Sequence, residues 1–177
     1  MKKQKNSPSP KPEVLRPVDL LFKDLQHSFP EPARYPLYIS CLLLFYFGIM
    51  GLIWMIPFPQ FDFLVQMKAH TFLNWGSFFI AIIIYCYLKL APSLSYAVLF
   101  TIGIFSFFIV RLEYVERDGG PAVWLVSAIL AIVGLLGLFA VANKEAKAPT
   151  MTQLWKLIAV GPIWFWSKLF ARFNWKY

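Results

Sequence analysis

The sequence predicts an all-α, polytopic membrane protein with four transmembrane helices and a C-terminal interfacial helix, and three observations predict it. The chain is 59% hydrophobic, 19% aromatic and only 15% charged, outside the range of an ordinary soluble domain. Its Lys, Arg, Asp and Glu leave four long uncharged intervals, residues 35–61, 69–88, 90–110 and 119–143. Within them apolar residues run consecutively, as in Phe78-Phe79-Ile80-Ala81-Ile82-Ile83-Ile84, instead of alternating as in the strands of a membrane barrel.

A hydrocarbon core about 30 Å thick needs about 20 helical residues. The spans are therefore expected near residues 37–56, 72–88, 94–110 and 123–142. The first is expected to remain in the mature chain, since some 35 residues precede it and no small-residue cleavage site follows it. Four segments result: a disordered basic tail at 1–13, an amphipathic N-terminal segment at 14–36, the transmembrane domain at 37–142, and a cytoplasmic or interfacial segment at 143–177. In the tail, MKKQKNSPSPKPE has no apolar residue beyond Met1 and cannot build a core.

Orientation follows from the basic residues. Seven Lys or Arg precede the first span, one lies between the second and third, and six follow the fourth; the other two loops hold one and two. Fourteen against three places both termini in the cytoplasm, in a bacterial inner membrane or an endoplasmic reticulum membrane. The net charge of +8 sits beside membrane spans, where attraction to anionic lipid accounts for it, so nucleic acid is not expected as a partner. Lipid is, and so is another membrane protein or a second copy of the chain.

The final segment, residues 151–177, is apolar and rich in Trp, but its uncharged core at 157–167 is 11 residues, too short to span. It is expected to lie at the interface, broken near Gly161-Pro162, with Trp155, Trp164 and Trp166 at headgroup depth. Ser127, Ala131 and Gly134 form a small-residue stripe at i, i+4 and i+7 of the fourth span, suited to close helix approach. Asn74 is expected to bond a neighbouring helix, and Arg111 to reach the interface or pair with Glu113. Cys41 and Cys86 fall inside spans, where a thiol acts as a small apolar filler. No CxxC, HExxH, GxxxxGK or GxGxxG motif occurs.

Three stretches, taken in order, resemble the Mpo1-like family, also called the domain of unknown function 962 family. RPVDLLFKDLQHSFPEP is similar to its N-terminal helix ending in His-x-x-Pro, with His27 and Pro30 in those places. LNWGSFFIAIIIYCYLKLAPSL, residues 73–94, resembles its second hydrophobic segment. KEAKAPTMTQLWKLIAVGPIWFWSKLF, residues 144–170, resembles its closing region, with Glu145, Pro149, Gly161 and Pro162 matching an acid, a Pro and an internal Gly-Pro. The resemblance implies an iron(II)-dependent dioxygenase that shortens 2-hydroxy fatty acids by one carbon.

That chemistry uses several histidines, and this chain holds only His27 and His70. The family's second N-terminal histidine falls at about Pro36, and its Gly-His near Val141 or Ala142. Oxygen-activating non-haem iron typically takes two His and a carboxylate, which the matching positions do not supply. The expectation is therefore no metal site and no cofactor, in a lipid- or protein-binding accessory related to the family. The alternative is a fatty-acid-oxidising enzyme with a rearranged iron site, for which His27 and Glu145 are the candidate catalytic residues. Residues DLLFKDLQ are expected to form an amphipathic helix with Leu20, Leu21 and Leu25 inward, Lys23 and Asp24 outward, and His27 solvated at its end.

Overall fold

A computed structural model of the chain describes residues 16–59, 74–145 and 148–176. The basic tail and His70 lie outside the described residues. The described residues are all-helical: α1 (Pro17–Ser28), a 3-10 turn (Pro32–Arg34), α2 (Tyr35–Trp54), α3 (Trp75–Leu90), α4 (Pro92–Arg117), α5 (Val123–Ala142) and α6 (Met151–Arg172). Three segments are long and apolar enough to cross a membrane: Pro32–Trp54, Pro92–Arg117 and Val123–Ala142, with mean hydropathies of 2.1, 2.1 and 2.7. α3 is apolar but has 16 residues, about 24 Å of helix.

Local chemistry sets the boundaries. Pro36 in the first turn lets α2 start before residue 37. α3 starts at Trp75 because Asn74 caps it, its side chain accepting from Ser77 N at 2.8 Å. Asn74 thus serves its own helix and not a neighbouring one. α4 runs past residue 110 to Arg117, since interfacial charges do not interrupt a helical ladder. Arg111 lies over the Phe107 ring at 5.2 Å and makes no ion pair with Glu113. Gly119, at φ 89°, takes the left-handed conformation that ends α4. Glu116 reaches across that turn, its carboxylate accepting from Val123 N at 3.0 Å, and starts α5.

α2 and α5 form the tightest pair. Gly48 abuts the backbone of Ser127 and Ala131, Gly51 the side chain of Ser127, and Gly134 the backbone of Cys41 and Phe45. Numbers rise on one helix as they fall on the other, so the pair is antiparallel. The Ser127, Ala131 and Gly134 stripe does what its spacing predicts, and Gly48 and Gly51 are its partners. Cys41 packs against Gly137 as a small filler, while Cys86 is exposed. α3 opposes α2, with Gly76 at Trp54 and Tyr87 at Tyr46. α4 runs parallel to α2, with Phe105 at Phe47 (5.5 Å) and Ile109 near Gly51. The four apolar helices therefore alternate in direction.

α1 is amphipathic, but its buried stripe is Val18, Phe22 and Leu25, continued by Phe29. Leu20, expected inward, is 55% exposed, because the stripe at i, i+4, i+7 and i+11 selects the face that meets α6. Lys156 donates to Asp24 and Lys168 to Gln26, both at 2.7 Å, tying α6 to α1 at two points about three turns apart on α6.

Candidate functional site: an apolar cavity beside a proline-bearing helix

α6 opens with a capping box. Thr150 accepts from Gln153 N, and Gln153 accepts from Thr150 N. The break expected at Gly161-Pro162 does not occur, for a reason two helices away. Pro162 offers no N–H to the Ile158 carbonyl, and its ring crowds that group. The Tyr46 hydroxyl, on α2, donates to this carbonyl instead. On α3, the Tyr87 hydroxyl donates to the adjacent Ala159 carbonyl at 2.9 Å. Tyr46 thus replaces the bond that proline removes, Tyr87 adds one to the next carbonyl, and the helix continues to Arg172. Trp164, expected at headgroup depth, is fully buried and packs edge-on to Tyr35 at 5.2 Å; Trp155 is exposed.

This compensation is testable. Tyr46→Phe should cost about 1–3 kcal/mol, because it leaves the Ile158 carbonyl buried and unpaired. In a Pro162→Ala background the helix supplies its own N–H, so the same substitution should cost little. Thermal unfolding of the four proteins of this cycle in detergent measures the coupling, and equal Tyr46→Phe penalties in both backgrounds would exclude the exchange.

Where α6 meets α2, α3 and α4, the side chains leave a cavity of about 470 Å³. Its walls include Leu42 and Met50 of α2, Ile83 of α3, Val98 and Phe105 of α4, and Phe165 of α6. Phe100 and Ile104, also in the wall, are 66% and 41% exposed, so the cavity reaches the lateral surface of the bundle. The volume lies in the range of ligand pockets, which are mostly apolar and pre-formed.

The candidates His27 and Glu145 have separate settings. His27 is exposed in the last turn of α1. Glu145 follows α5 and its side chain is 1% exposed. One carboxylate oxygen accepts from Tyr38 Oη at 3.0 Å and the other faces Arg34 Nη1 at 3.2 Å. Arg34 also meets Glu31 at 3.1 Å. The carboxylate therefore joins the start of α2 to the end of α5. Among the described residues, no group of three or more His, Cys, Asp or Glu is placed to hold a metal.

Sequence reasoning missed the cavity residues and both tyrosine donors. Tyr46 and Tyr87 were readable as polar side chains inside apolar runs, and a proline in the last helix is what such donors serve. Comparison with protein-family models, curated proteins and solved structures finds no match.

Proposed function

We propose that the chain crosses the membrane four times with both termini in the cytoplasm, and that it holds a lipid hydrocarbon chain in the cavity between α2, α3, α4 and α6. It acts as a lipid-binding accessory and not as an iron enzyme. The observation that carries this reading is the cavity itself: about 470 Å³, walled by apolar side chains, and open toward the side of the bundle. In a membrane that side faces acyl chains, so an occupant enters without crossing water.

The alternating directions of α2 to α5 support the four crossings. So do exposed tryptophans at both ends: Trp75 and Trp124 begin α3 and α5, and Trp155 and Trp175 lie in the C-terminal region. α6 lies along the cytoplasmic side, since Lys156 and Lys168 both bond one short stretch of α1. The likeness to the Mpo1-like family enters as a relation of fold, because Pro36 and Val141 or Ala142 stand where its histidines fall. The iron-dependent alternative is carried by that resemblance alone, and Glu145 is committed to Arg34 and Tyr38.

Purified protein in detergent should retain a radiolabelled single-chain phospholipid at close to one per chain. Val98→Phe and Ile83→Phe, which add bulk to the cavity wall, should lower retention several-fold. Ile132→Phe, on the exposed face of α5, should leave it unchanged. Equal retention by all four proteins would place the lipid elsewhere.

A further inference from the structure

The polar side chains in the cavity wall are Tyr46, Tyr87, Thr101 and Trp166, and each is already committed within the protein. The tyrosine hydroxyls donate to the Ile158 and Ala159 carbonyls. Trp166 Nε1–H donates to Thr101 Oγ1 at 3.3 Å. The Thr101 hydroxyl in turn donates to the Ala97 carbonyl at 3.1 Å. All four donors are thus engaged, so a keto group carried into this space loses its water and finds no donor among the described residues.

Resting on the lipid-chain reading above, we infer that the cavity selects lipids whose buried chain is plain hydrocarbon and rejects chains bearing a keto oxygen, and that the internal bonds of Tyr46, Tyr87 and Trp166 impose this selection by engaging the donors that oxygen would need. The Tyr46 hydroxyl is held by the Ile158 carbonyl that Pro162 leaves free, and the Tyr87 hydroxyl by the next carbonyl. The proline in α6 therefore does more than shape the helix: it occupies a hydroxyl proton that a keto oxygen could otherwise accept. The chain enters through the lateral opening beside Phe100 and Ile104, and the lipid headgroup stays outside the cavity.

The test is competition for the full chain in detergent. A labelled single-chain phospholipid is displaced by the same lipid unlabelled, or by its analogue with one mid-chain keto group. The keto competitor should be roughly ten- to a hundredfold weaker, the cost of leaving a buried carbonyl oxygen unpaired. Thr101→Val leaves the Trp166 N–H open to a ligand oxygen and should recover several-fold of that loss while leaving the plain competitor nearly unchanged, whereas Trp166→Phe frees no donor and should recover none. Equal potency of the two competitors on the unmodified protein overturns the selectivity. Discrimination undiminished in Thr101→Val, or lost equally in Trp166→Phe, overturns the role of the Trp166–Thr101 bond. Failure of the unmodified protein to hold the label at all defeats the lipid-chain reading instead, and this one with it.

Discussion

Gly134→Leu and Gly48→Leu are expected to cause the largest losses of stability of any single substitutions in the bundle. A Cβ at Gly134 falls 2.5 Å from Phe45 N and 2.7 Å from Cys41 O. These are backbone atoms of α2 and cannot rotate away. A Cβ at Gly48 meets the backbone of Ser127 and Ala131 on α5 in the same way. Either side chain must push the two helices apart along their shared length. Overpacking typically costs 1–3 kcal/mol and sometimes more, and with backbone on the receiving side the cost should lie at or above the top of that range. Gly103→Leu is the control, since its Cβ meets nothing within 4 Å and the substitution gains helix propensity. Thermal unfolding in detergent, followed as loss of the monodisperse species, should show sharply lowered midpoints for the first two and none for the third. Unchanged stability in Gly134→Leu would mean that α2 and α5 do not pack through this seam.

The second large effect concerns the carboxylate that closes one end of the same pair. Arg34→Ala should destabilise by several kcal/mol, because it leaves Glu145, with a side chain 1% exposed, beside the Tyr38 hydroxyl alone. Breaking a buried pair typically costs about 3–5 kcal/mol. The guanidinium is 24% exposed, so partial screening should bring the loss to the lower part of that range. Glu145→Gln, which can still accept from Tyr38, should cost less. Arg34→Met combined with Glu145→Leu should cost less than Arg34→Ala, since no charge is then stranded. A double variant that loses as much as Arg34→Ala, or more, would show that the stranded charge is not the source of the loss.

What the sequence showed and what it hid divide along a physical line. The length and hydropathy of α5, the small-residue stripe on it and the amphipathic character of α1 are properties of a local window, and each is present at residues 123–142, at Ser127, Ala131 and Gly134, and in Pro17–Ser28. The helix through Pro162 was not legible, because the donor that preserves it, Tyr46, is 112 residues away in the chain. Glu145 reads locally as one charge between Lys144 and Lys147; only the antiparallel register of α2 and α5 brings Tyr38 to it across 107 residues. The inward face of α1 went partly astray because hydrophobicity alone does not distinguish Leu20 from Val18. The cavity is a shared absence among four helices, for which no single stretch of sequence carries a signal.

Mapping where a bound chain touches the protein tests the central claim most directly. A single-chain phospholipid bearing a photoreactive diazirine at mid-chain, bound at one equivalent to the purified protein and then irradiated, should label side chains in the cavity wall. The labelled peptides should fall around Phe79 to Tyr87, Val98 to Phe105 and Pro162 to Leu169, and Val98→Phe should suppress them together. Labelling confined to outward-facing residues of α5 such as Ile129, Ile132 and Leu136 would contradict an internal lipid chain.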